Sequence, residues 1–217
     1  MVQAETIVGP ITKADGSQQA LRADRTSAGV VTDAHSHFQE AVLRGNVYSL
    51  NLVATTTGVA AGNITGAAAA ASTQFALWNP TNSKVALVLL KFGLGVISGT
   101  PGAGPMFHNI ATVVPTVAST GGPALNNLTC APGGSAKFMA SAAGAALTGG
   151  GALTALRIAD FTSTNTAAAS VGELKAIELI DGEIILSPGT MWVPCWGAAG
   201  TSLLNGYSIT WEEVPYP

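Results

Sequence analysis

No acidic residue lies between Glu40 and Asp160, and between Arg44 and Arg157 the only formal charges are Lys84, Lys91 and Lys137, with His108 neutral. In their place stand Ala, Gly, Thr, Val, Leu and Pro, the composition of packed strands, tight turns and apolar contact. Hydrolytic, acid–base and metal chemistry draws on carboxylates, His or Cys gathered in one site, and over half of this chain supplies almost none. The expectation is a structural or assembly protein before an enzyme, with no catalytic residue, no cofactor and no metal.

Charged residues are 10% of the 217, against about 25% in an ordinary soluble domain, and the mean hydropathy is +0.39. Yet no run reaches the roughly 18 apolar residues that span a bilayer. The longest, 85–97, holds Lys91 and is rich in Gly and β-branched residues, so it reads as a buried strand. No membrane partner is expected; a chain this apolar is instead expected to hide surface against other subunits. The net charge of −3 and a pI near 5.5 argue against nucleic acid as a partner. The opening MVQAETIVGP has neither a basic nor an apolar signal region. On that footing Asn63-Ile64-Thr65 and Asn127-Leu128-Thr129 are chance sequons. Cys130 and Cys195 read as buried reduced thiols, with a disulfide as the open alternative.

Composition changes near residue 50. Residues 1–45 carry Lys13, Arg22, Arg25 and Arg44 against Glu5, Asp15, Asp24, Asp33 and Glu40, with only short apolar pieces. Such a segment cannot close a core of its own and reads as an extended N-terminal arm. Residues 46–217 read as one all-β domain. Strand signals fall at 47–54, 73–78, 85–97, 108–117, 136–140, 153–161, 174–180, 183–186, 191–196 and 207–211, with turn signals between them. Asn79-Pro80-Thr81-Asn82-Ser83 predicts a hairpin over 73–97, and Asp181-Gly182 a hairpin into 183–186. Many short strands with regular turns predict a β-sandwich or jelly roll. The Ala-rich tracts 67–71 and 142–155 predict loops or single helical turns.

Few motifs carry chemistry. Asp33, His35 and His37 share one face of a strand, a pattern that suits a metal; without a distant third ligand cluster they read as a polar strand of the arm. The glycine run 93–99 misses the dinucleotide spacing at Ser98, and 99–104 lacks the Lys-Ser/Thr of a phosphate loop. Asp160, Glu178, Asp181 and Glu183 form the one close acidic group and read as solvated edge charges rather than a glycosidase pair. Trp78, Trp192, Trp196 and Trp211 sit on strands. They read as core or as an oligomer interface, and with Tyr207 they could line a sugar groove.

The segments Gln18-Gln19-Ala20-Leu21-Arg22-Ala23-Asp24-Arg25, Gly29-Val30-Val31-Thr32-Asp33-Ala34-His35 and Glu40-Ala41-Val42-Leu43-Arg44-Gly45-Asn46-Val47-Tyr48 resemble the N-terminal stretch of virion structural proteins of tailed bacteriophages. Phe75-Ala76-Leu77-Trp78-Asn79-Pro80 with Val88-Leu89-Leu90-Lys91 looks like the next part, and Leu186-Ser187-Pro188-Gly189-Thr190 with Trp211-Glu212-Glu213 is similar to the last strands of that group's jelly-roll body. The likeness covers both ends and little of the Ala/Gly-rich middle. It implies a capsid decoration (cement) protein: made in the host cytoplasm, placed on the capsid exterior as a homotrimer, and partnered by the major capsid protein. Arg22, Arg25 and Arg44 are then the expected capsid contacts. The competing expectation is a head-fibre or tail-appendage module that binds host-surface glycans.

Overall fold

In a computed structural model of the chain, residues 38–52, 59–60, 75–100, 105–116, 123–140, 151–159, 175–197 and 201–216 are described. Arg22, Arg25, Asp33, His35, His37 and the tract 67–71 lie outside them. The chain divides into the units Met1–Glu40 and Ala41–Pro217. A short helix, α1 (Gln39–Leu43), falls within the stretch expected to be extended. Gly45, at φ 74°, ends it: its N–H donates to the Val42 carbonyl at 2.9 Å, and Asn46 N–H to the Ala41 carbonyl at 3.3 Å. This is the left-handed glycine cap that the pair of orphan helix carbonyls favours.

Among the described residues twelve strands follow: β1 (Val47–Leu52), β2 (Val59–Ala60), β3 (Phe75–Trp78), β4 (Val85–Thr100), β5 (Met106–Ala111), β6 (Leu125–Asn126), β7 (Lys137–Ala140), β8 (Thr154–Ile158), β9 (Lys175–Leu179), β10 (Ile185–Leu186), β11 (Met191–Trp196) and β12 (Thr201–Pro215). They form two antiparallel sheets. The first runs β10-β4-β12-β1-β6, with β9 also on β4 and β2 on β12; the second runs β7-β3-β11-β5-β8. The pairings are nested: β1 with β12, β3 with β11, β4 with β9 and β10, β5 with β8. One long hairpin is rolled up so that β12 also meets β4 and β11 also meets β5. This is jelly-roll connectivity, so the expected sandwich is the observed one.

The nesting corrects two local expectations. β3 and β4 are not a hairpin; they lie in opposite sheets. The Asn79–Ser83 turn carries the chain across the sandwich because the buried Asn79 amide donates to the Val85 carbonyl at 2.7 Å and to the Leu186 carbonyl at 2.9 Å, pinning the corner to β4 and β10. Likewise β9 and β10 do not pair with each other: both run along β4. Asp181 and Gly182, at φ 55° and 84°, bulge the chain while Asp181 N–H still reaches the Leu90 carbonyl and Gly182 N–H the Leu89 carbonyl. Edge bulges of this kind re-aim a strand without ending its ladder.

Alternation fills the space between the sheets. Leu50, Leu87, Leu89, Phe92, Leu94, Tyr207, Ile209 and Trp211 of the first sheet meet Phe75, Leu77, Met106, Phe138, Trp192 and Trp196 of the second. β11 is buried on both faces: Met191, Val193 and Cys195 join a second cluster with Ala76, Trp78, Ala111 and Met139. A strand covered on both sides reads as a continuous apolar run, which MWVPCW is.

Candidate functional site

Four ionisable side chains come together where the two sheets meet at one side of the sandwich. β5 projects His108 into the core, fully buried, and β9 projects Glu178 beside it, also buried. The two make a 2.8 Å contact between His108 Nε2 and Glu178 Oε2. β8, paired to β5 with Arg157 opposite His108, brings Arg157 Nη2 to 2.5 Å from Glu178 Oε1 and 3.5 Å from the exposed Glu183. Edge strands of opposite sheets are thus tied by a charged link through the interior.

The aromatic packing fixes the protonation state. Trp192 Nε1–H donates to His108 Nδ1 at 3.0 Å. An indole nitrogen only donates, so Nδ1 carries a lone pair and the proton sits on Nε2, which donates to Glu178. His108 is neutral. Burial acts in the same direction: it lowers the His108 pKa from its ordinary value, outweighing the hydrogen bond and the charge of Glu178, which pull it up, while Arg157 adds to the lowering. Trp192 stacks on the imidazole at 27° and Phe92 meets it edge-on at 76°.

This cluster corrects the reading of the acidic group. Glu178 is not a solvated edge charge; it is the buried member that Arg157 and His108 hold. Asp181 and Glu183 are the exposed ones, as expected, and Asp160 lies outside the described residues. Sequence reasoning missed the cluster because its members lie on three strands and one bend and 70 residues separate His108 from Glu178. The one local signal is the alternation of KAIEL, in which Glu178 sits between two outward aliphatics.

The tryptophans are also reassigned. Trp78, Trp192, Trp196 and Trp211 are all buried inside one chain. Side chains at 2% exposure or less contribute almost no area to a subunit contact and offer no face to a sugar ring, so neither the oligomer interface nor the sugar groove rests on them. Trp192 spends its N–H on His108 and Trp211 directs its own to Glu213 Oε1 at 3.3 Å. Tyr207 is equally buried, and burial raises its pKa. Arg44 is exposed, following α1. Cys130 and Cys195 are unbonded to each other, and Cys130 is exposed rather than buried. Burial pushes the Cys195 thiol up to about 12, which keeps it unreactive.

Among the described residues no group of three His, Cys, Asp or Glu has metal-binding proximity, and no helix is long and apolar enough to cross a membrane. The outer face of the first sheet carries a shallow groove of about 380 Å³ whose floor is Gly93, Gly95 and Gly206 and whose walls include Ile177, Asn51 and Ser208. No family model matches the chain, nor does any curated protein or solved structure.

Proposed function

We propose that the chain is a capsid decoration protein, a jelly-roll module that binds the outside of a major capsid protein lattice and stabilises the head. The observation that carries the reading is how the molecule spends its polar groups. The one described cluster of ionisable side chains is closed on itself as a cross-link between the sheets. The surface beside it displays Leu156, Ile158, Ile177, Leu179 and Ile185. Exposed aliphatics on the neighbouring edge strands β8, β9 and β10 favour a surface used for protein contact. The jelly roll is an architecture that viral shells and lectins share, and the resemblance of 18–48, 75–91 and 186–213 to phage virion proteins selects the first. The glycan-binding alternative drew on an aromatic face, and those rings lie in the core.

The test is cosedimentation of the purified protein with capsid shells that lack it, full length beside a deletion of residues 2–45. Saturable binding by the full-length chain alone supports decoration anchored by the arm and its Arg22, Arg25 and Arg44. Saturable binding by both supports decoration anchored by the sandwich. Binding by neither overturns the proposal.

A further inference from the structure

Two strands on the charged side of the sandwich are held by little more than one side chain each. β8 lies at the edge of the second sheet against β5, and β9 at the edge of the first against β4. On β8, Thr154, Ala155, Leu156 and Ile158 are exposed, and only Arg157 is partly covered. On β9, Ile177 and Leu179 are exposed, and Glu178 is the buried side chain between them. β11, at the centre of the second sheet, is by contrast buried at every position. Beyond their ladders, β8 and β9 are fastened by Arg157 and Glu178, and these two are fastened to each other. Ala159 and Ile180, which follow the strands, are buried and bonded to the Met106 and Leu90 carbonyls, so they anchor one end of each.

The ion pair couples the two strands. If β9 alone lifts away, Arg157 loses its nearest carboxylate while still half-buried. If β8 alone lifts away, Glu178 stays buried without the guanidinium that balances its charge. A buried charge stripped of its partner is strongly unfavourable, so departure together is favoured over departure singly. Segments with few buried apolar contacts are also the ones that open below global unfolding.

His108 makes that opening sensitive to acid. Its Nε2–H donates to Glu178 and its Nδ1 accepts from Trp192, so the closed site has no place for a second proton. The charged groups that face the ring are Glu178 from β9 and, behind it, Arg157 from β8. β11 and β4 bring the uncharged rings of Trp192 and Phe92, and Glu183 reaches Arg157 rather than the imidazole. Once β8 and β9 withdraw, the Nε2 side of the ring meets water, and the imidazole is free to turn from the indole and carry its charge in solvent.

We propose that β8 and β9 form an acid-released clasp: the two edge strands leave the sandwich together, as one local opening, and uptake of a proton at His108 drives it. Burial lowers the His108 pKa in the closed form, whereas the open form has about the ordinary value of 6.5. The closed clasp is therefore at full strength above about pH 6.5 and loosens as pH falls from there through the closed-form value, by up to about tenfold in open population per pH unit. Opening frees the outer edges of β4 and β5. The inference stands independently of any capsid role.

The experiment is amide hydrogen exchange of the full-length protein from about pH 7.5 to about pH 5.5, with each rate divided by the intrinsic rate at that pH. Peptides over 154–158 and 175–179 are compared with peptides over 191–196 and 207–211. The two edge segments are expected to be less protected than β11 and β12 throughout, at rates that low urea leaves unchanged, because a local opening exposes little surface. Their protection is expected to fall together, by up to about tenfold per pH unit below about pH 6.5. His108→Gln cannot titrate and is expected to abolish that fall. Glu178→Gln is expected to lower the protection of both segments roughly tenfold or more at neutral pH. Edge segments that share the protection of β11 and β12 at every pH open only with the whole molecule and overturn the proposal. Wild-type protection that does not change with pH overturns it too, as does a Glu178→Gln chain in which only one segment loosens. The wild-type series decides the matter even where a variant fails to fold.

Discussion

Trp192 and Glu178 hold His108 from opposite sides, and only a neutral imidazole satisfies both: a second proton on Nδ1 would face the indole N–H across 3.0 Å. The folded pKa of His108 therefore lies below the unfolded value of about 6.5. As pH falls, the unfolded chain takes up the proton first, so acid favours unfolding. The stability is fully present above about pH 6.5 and is lost as pH falls from there through the folded value, by at most about 1.4 kcal/mol per pH unit. Urea midpoints at a series of pH values from neutral downward are expected to show this fall, and His108→Gln, which cannot titrate, is expected to flatten it. Trp192→Phe removes the donor that opposes protonation and raises the folded pKa, so the fall is expected to begin at the same pH, set by the unfolded chain, but to end sooner and be smaller. Glu178→Gln leaves the half-buried Arg157 guanidinium without its nearest charge and is expected to cost about 3 kcal/mol by the same measurement, at the low end for a broken buried pair because Glu183 still reaches Arg157.

Strands here are placed by corners more than by hairpins. The Asn79 amide is the clearest case, since it serves carbonyls of two different strands from a turn that belongs to neither. Asn79→Ala leaves the Val85 and Leu186 carbonyls without those donors in a buried place. It is expected to lower unfolding free energy by about 1–3 kcal/mol, chiefly through the Leu186 carbonyl, because an orphaned buried acceptor loses its solvation without compensation, whereas the Val85 carbonyl keeps a 3.1 Å bond from Ser83 Oγ. Asn79→Asp is expected to be no better, because a carboxylate accepts and cannot donate to either carbonyl. Denaturant titration of the two variants beside wild type checks both statements. The turn itself was legible: Asn-Pro-Thr-Asn-Ser stops a strand wherever it occurs. What it connects was not, because hairpin and crossover turns share composition and differ only in which partners lie beyond them. The same holds for Asp181-Gly182, where a hairpin signature proved to be a bulge along β4. Its positive backbone angles suit either use.

At the scale of the molecule, the two ends of the sandwich are stitched together. β12 lies between β4 and β1 and is paired along both edges, so the last strand of the chain is central to the first sheet. Trp211 on that strand sits in the main core with Trp192 and Trp196, and its side chain is fully buried. A chain cut after residue 200 is therefore expected not to fold, which far-UV circular dichroism and the loss of a cooperative melting transition would show. Nested pairing also makes most contacts distant in sequence, so refolding is expected in the millisecond-to-second range or slower. Tryptophan fluorescence follows both processes, since all four indoles pass from core to solvent on unfolding.

The amino-acid sequence by itself determined the class of fold and the position of nearly every long strand. Charge depletion, β-branched alternation and turn residues are local properties, and a strand of five or six residues carries enough of them to be read alone. It also determined that chemistry-bearing side chains are scarce. The tertiary structure decided which sheet each strand joins, because pairing depends on partners tens of residues away. It decided as well that the tryptophans face inward. Trp192 is legible as a strand residue, but only the closing of β11 between β3 and β5 makes it core. Most of all, it decided that Glu178 turns in while Ile177 and Leu179 turn out. Alternation fixes that neighbours point to opposite faces; which face is the inside depends on where His108 and Arg157 wait to receive the carboxylate.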